Sequence, residues 1–101
     1  MSRVHVERRL IEVGGRLKSL RHDLAVAQEQ LLHFSDDADE SRLRSLVSET
    51  PVADREHRHA RRHAEAMMRH RDEVQREIDK LEELQDELLD RMIEEAARTR
   101  T

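Results

Sequence analysis

The chain has 101 residues, 42% charged and 36% apolar, with a net charge of −4, no cysteine and one aromatic residue, Phe34. That length holds one domain at most, and without aromatic rings a compact globular core is not expected. Disulfide scaffolds, cysteine-based zinc sites and thiol catalysis are excluded. No apolar run approaches the roughly 18 residues of a membrane span, and no apolar signal segment follows Met1. The expectation is a soluble, cytoplasmic protein with no membrane partner. Leu, Ala, Glu and Arg dominate, which is the composition of long helices and coiled coils.

Val6, Leu10, Val13, Leu17, Leu20, Leu24, Ala27, Leu31 and Phe34 follow one another at alternating spacings of four and three. That seam predicts helix 1 from about residue 3 to 34. Gly14 and Gly15 interrupt it, each at a cost of roughly 1 kcal/mol against Ala. They read either as a tolerated soft point or, for Gly14 beside the seam, as a place where another helix approaches closely.

Ser35-Asp36-Asp37-Ala38-Asp39-Glu40 is a polar stretch rich in capping residues, and Asp37 with Glu40 fits a capping box. It predicts the end of helix 1 and the start of a short tip helix, whose Leu43, Leu46 and Val47 at i, i+3 and i+4 would pack over Phe34. Thr50-Pro51 reads as a helix start, with Thr as N-cap and Pro at the first helical position. The last helix then runs from about residue 51 to 98 on the seam Ala53, His57, Ala60, Ala64, Met67, Arg71, Val74, Ile78, Leu81, Gln85, Leu88, Met92.

Charge decides how the two long helices pair. Residues 3–21 carry six basic and two acidic groups, and residues 23–40 carry six acids and no base. Residues 55–71 hold six arginines against two acids, and residues 72–95 hold eleven acids against three bases. Folding one helix back on the other sets plus against minus at both ends. The predicted fold is therefore all-α: a single domain over residues 1–101, an antiparallel coiled-coil helical hairpin with a short third helix in the tip at about 35–50. Setting Leu17 against Val74 and Leu10 against Leu81 brings Arg16 near Glu77 and Asp23 near His70, and this is the register expected.

Val4, Ile11, Ala25 and Leu32 recur at multiples of seven off the seam of helix 1, and Met68, Leu84, Leu89, Ile93 and Ala96 lie off the seam of the last helix. They read either as ordinary apolar surface or, the preferred reading, as the site of self-association into a homodimer.

Chemistry is sparse. Glu56, His59 and His63 share one side of a helix at i, i+3 and i+7, a spacing that metal-binding bundles use. No second Glu-x-x-His accompanies them, and Arg55, Arg58, Arg61 and Arg62 would repel a cation, so a solvated basic face is the better reading, with no cofactor. No glycine elbow or phosphate loop is present, and no enzyme activity is expected. The Arg/His-rich stretch 55–71 could follow a phosphate backbone, although the net charge is acidic and most of these arginines are expected to find acids across the hairpin. Asp36, Asp37, Asp39 and Glu40 cluster where the hairpin is predicted to turn. In outline this is similar to the transcription factors that insert a coiled-coil hairpin into the secondary channel of RNA polymerase and present tip carboxylates to its magnesium. That architectural resemblance implies a role for Asp36 and Asp37. The expected function is a protein–protein interaction module with an unidentified protein partner, engaged through the acidic run or through Arg58, Arg61 and Arg62. The alternative is a regulator of a nucleic-acid machine.

Overall fold

The computed structural model describes residues 2–100. The chain forms a helical hairpin of two long helices, α1 over Arg3–Ser48 and α2 over Pro51–Arg100. No strand occurs among the described residues, and no helix is long and apolar enough to cross a membrane. Contacts gather into two compact units. One takes in residues up to His22 and from Gln75 onward, and the other is Asp23–Val74.

In the first unit the predicted seam is the core. Val6, Val13, Leu17 and Leu20 of α1 are buried together with Ile78 and Leu88 of α2, and Val6 and Leu17 are fully inaccessible. Burial of such side chains contributes roughly 1.5–3 kcal/mol each. Two ion pairs flank this seam: Arg16 Nη2 to Glu77 Oε1 at 2.8 Å and Arg21 Nη2 to Glu82 Oε1 at 4.0 Å. All four side chains are half exposed, so the pairs add little stability. They do fix the register. With Leu17 level with Leu81 and Leu10 level with Leu88, each bridge spans about 7.5 Å along the axis, in opposite directions, at 1.5 Å per residue. The expected register gave Arg16–Glu77 correctly, but it would stretch Arg21–Glu82 over about 18 Å, beyond the reach of the side chains. It would also leave Leu88 level with Arg3 rather than Leu10, and Leu88 is only 2% exposed. The true pairing lies one heptad further along α2.

In the second unit the predicted break and tip helix are absent. α1 continues through residues 35–48 without interruption. The reason is that beyond Phe34 the small or polar residues Ala38, Ser41 and Ser45 carry the four-and-three spacing onward, each buried or half-buried. No glycine or proline stands between residues 16 and 50 to stop the helix. The would-be capping residues make helical i,i+4 pairs instead, Asp37 with His33 at 3.5 Å and Glu40 with Arg44 at 3.8 Å. Ser41, 2% exposed, donates its hydroxyl proton to the carbonyl of Ala38 at 2.9 Å and lies 3.3 Å from His57 Nδ1 on α2. Ser45 bonds Asp54, and Leu24 stands level with Val74 in the register those contacts set.

The turn takes two residues. Glu49 closes α1 through its N–H to the Ser45 carbonyl at 3.0 Å, with φ of 51°. Thr50 caps α2 as expected: the Ala53 N–H donates to Thr50 Oγ1 at 3.2 Å and the Asp54 N–H to the Thr50 carbonyl at 3.1 Å. A left-handed residue after a helix is where glycine is favoured, because a Cβ is strained there. Glu49→Gly is therefore expected to stabilise the hairpin by roughly 0.5–1 kcal/mol. Glu49→Ala keeps the Cβ and should give no such gain in a thermal melt.

Candidate functional site

The acidic run lies on α1 itself, well before the turn. Asp36, Asp37, Asp39 and Glu40 are exposed, and nine to thirteen residues separate them from Glu49, about 13–20 Å along the helix. The expectation that these carboxylates crown the tip is corrected by the continuity of α1. Asp37 and Glu40 are engaged with His33 and Arg44 on their own helix.

Leu43, Leu46 and Val47 were expected to pack over Phe34 and the start of the last helix. They are instead 64%, 64% and 85% exposed. Once α1 runs through, these residues fall outside the seam that Ser41 and Ser45 occupy and project from the far side of the helix. Asp36, Glu40, Leu43 and Val47 stand at i, i+4, i+7 and i+11, with Asp39 and Leu46 beside them. The result is one outer face with an apolar centre, acids toward its N-terminal end and Arg42 and Arg44 on its flanks. This surface was readable only from the phase of Leu43 against the heptad seam, which the drop in hydropathy after Phe34 obscures.

On α2 the arginines depart from expectation. Arg61 pairs with Glu65 of its own helix at 3.6 Å, and Arg71 with the adjacent Asp72 at 2.7 Å. Arg55, Arg58, Arg62 and Arg69 form no ion pair among the described residues. The reason is positional: Arg55, Arg62 and Arg69 repeat every seven residues on the side of α2 turned away from α1, out of reach of its acids.

Beside this stripe Phe34 packs on His63, with ring centroids 5.6 Å apart, and His63 lies 4.4 Å from His59. Arg62, Ala66 and Met67 complete a shallow apolar cleft. His59 and His63 are thus together as their spacing predicted, with Glu56 exposed one turn away. Among the described residues no three His, Asp or Glu side chains converge so as to hold a metal ion. His63 turns its ring to Phe34 instead.

No family model matches the chain, and no curated protein or solved structure is detectably similar to it.

Proposed function

We propose that this chain is a non-enzymatic coiled-coil interaction module, a scaffold, adaptor or regulator, which acts as a homodimer and engages a protein partner through the outer face of α1. The observation that carries the reading is the exposure of Leu43, Leu46 and Val47 within a charged border of Asp36, Asp39, Glu40, Arg42 and Arg44. Apolar side chains clustered on a surface and rimmed by charge mark a docking site. An amphipathic helix with an apolar stripe and flanks of mixed charge is the partner that such a face fits. Leu43→Asp with Leu46→Asp tests it. Both side chains lie off the seam, so the variant should keep the wild-type circular dichroism and thermal midpoint. Proteins captured by the wild type should be lost by the variant. Capture unchanged by the substitutions would overturn this reading.

A second reading is favoured by Arg55, Arg58, Arg62 and Arg69, which form no ion pair among the described residues: a basic strip that follows the phosphates of a nucleic acid. A heparin column separates the two. Retention at low salt that disappears in Arg58→Glu/Arg62→Glu supports the strip, and flow-through of the wild type removes it.

A further inference from the structure

The homodimer reading extends to a particular surface and arrangement, and the inference rests on that reading. In the unit built from the two ends of the chain, the side of the hairpin that bears the Arg21–Glu82 pair has an uncovered apolar patch. On α1, Val4 and Ile11 are 61% and 76% exposed, and Lys18 and Arg21 continue the same stripe. On α2, Glu82, Asp86, Leu89 and Ile93 stand at i, i+4, i+7 and i+11, and Ile93 is 68% exposed. The register places Val4 level with residue 94 and Ile11 level with residue 87, so the two apolar pairs are neighbours on one face. The α1 half of this face is apolar and basic but for Glu7, which pairs with Arg3 of its own helix at 3.2 Å, and the α2 half is apolar and acidic, with Asp79, Glu82 and Asp86 exposed.

We infer that this face is occupied by a second copy of the chain, related by a two-fold axis parallel to the helices, so that α1 of each copy lies on α2 of the other. In that arrangement levels along the axis are preserved. Val4 meets Ile93 of the second copy, Ile11 meets Leu89, and Lys18 faces Asp79, each contact occurring twice. Gly14 sits within the face, and nothing within 4 Å would meet a Cβ there in the single chain. The absent side chain leaves room for the second copy's helix. The opposite choice, α1 on α1 and α2 on α2, needs a two-fold axis perpendicular to the helices, which reverses the levels; centred on the apolar patch it carries Lys18 and Arg21 past the end of the second copy's α1 and forgoes their pairing with acids.

Sedimentation equilibrium and mixed-cysteine cross-linking test this together. The wild type is expected to be a dimer at micromolar concentration. Ile11→Asp/Ile93→Asp should be a helical monomer, with dimer affinity reduced by about 100-fold or more, since four exposed isoleucines per dimer would be lost from the contact. Circular dichroism should be unchanged, because neither residue is in the core. Lys18→Glu should weaken the dimer, and adding Asp79→Lys should restore it. A mixture of Val4→Cys chains and Ile93→Cys chains should form mixed disulfides, whereas Val4→Cys chains alone should not. A wild type that is monomeric at several hundred micromolar overturns both the homodimer and this face. A dimer that survives Ile11→Asp/Ile93→Asp overturns the face alone. Efficient disulfide formation by Val4→Cys chains alone overturns the arrangement while leaving the face in place.

Discussion

Leu20→Asp is expected to abolish most of the helicity of this protein. Leu20 is 2% exposed in the middle of the α1 seam. Its carboxylate would have to lose its water with no cation aimed at it along an apolar line, a change of about 3–5 kcal/mol. Few residues are fully buried in a hairpin of this kind, so little remains to absorb such a loss. Neither helix is stabilised by much beyond packing against the other, which is the usual state of amphipathic helices in water. Far-ultraviolet circular dichroism at 222 nm should fall to a small fraction of the wild-type signal at 25 °C. Ser19→Asp, one residue away on the exposed side, is the control and should change little. A Leu20→Asp protein with wild-type ellipticity and thermal midpoint would contradict the pairing of the two seams.

The second large effect runs the other way. Gly14 and Gly15 both lie inside α1, and a Cβ built at either meets nothing within 4 Å. Each glycine lowers helix stability by roughly 1 kcal/mol against alanine, chiefly because its unfolded backbone is so free. Gly14→Ala/Gly15→Ala should thus gain about 2 kcal/mol, which for a chain of this size is a rise in Tm of about 8 °C or more. The melt is best measured on protein dilute enough to be monomeric. The two positions then separate function from stability. Gly15 lies beside the proposed dimer face, and its alanine variant should stabilise the chain without effect on association. Gly14→Ala should stabilise the single chain yet weaken the dimer. A fall in Tm for the double variant would mean that the glycines accommodate a distortion of α1, not a straight helix.

The apolar seam of α1 as far as Phe34, the whole of α2 and the cap at Thr50 were legible in the sequence because each rests on a strong local signal. Leucine and valine at alternating spacings of four and three have one physical outcome, and threonine before proline has another. The stretch after Phe34 was not legible in the same way. Its seam residues, Ala38, Ser41 and Ser45, are too small or polar to register as a stripe. Asp36, Asp37 and Asp39, which suggest a cap and a turn, are tolerated in a helix because they lie on its exposed faces. The conspicuous Leu43, Leu46 and Val47 then attract a reading as core that their phase does not allow.

The register error has the same origin. The expected register, Leu17 against Val74, centres the turn near residue 45 or 46, whereas the observed turn is centred on Glu49 and Thr50. Moving the turn by about three and a half residues shifts the level of paired residues by about seven, one heptad, given equal rise on both helices. Exposed ion pairs could not correct this from sequence. Arg16–Glu77 fits both registers, and each such pair contributes too little to discriminate by itself. As for the surfaces, the acidic run and the arginine stretch were visible as composition. Their surroundings depend on how α1 ends, so the apolar centre beside the acids, and the lack of ion pairs among the described residues at Arg55, Arg58, Arg62 and Arg69, emerge only from the fold.

The pairing of α1 with α2 in the terminal unit carries the proposed dimer face, and spin-label distances test it directly. Ser19 and Lys80 are exposed on the same side of the hairpin, away from the proposed dimer face, and stand about one residue from level; Glu12 on that side is six residues from level with Lys80, about 9 Å further along. Labels at Ser19→Cys/Lys80→Cys, diluted with unlabelled protein, should lie within about 30 Å, since packed helices are about 8–10 Å apart, and closer than labels at Glu12→Cys/Lys80→Cys. The reverse order would restore the slipped register. Separations above about 60 Å for both pairs would mean that the helices do not fold back on one another at all.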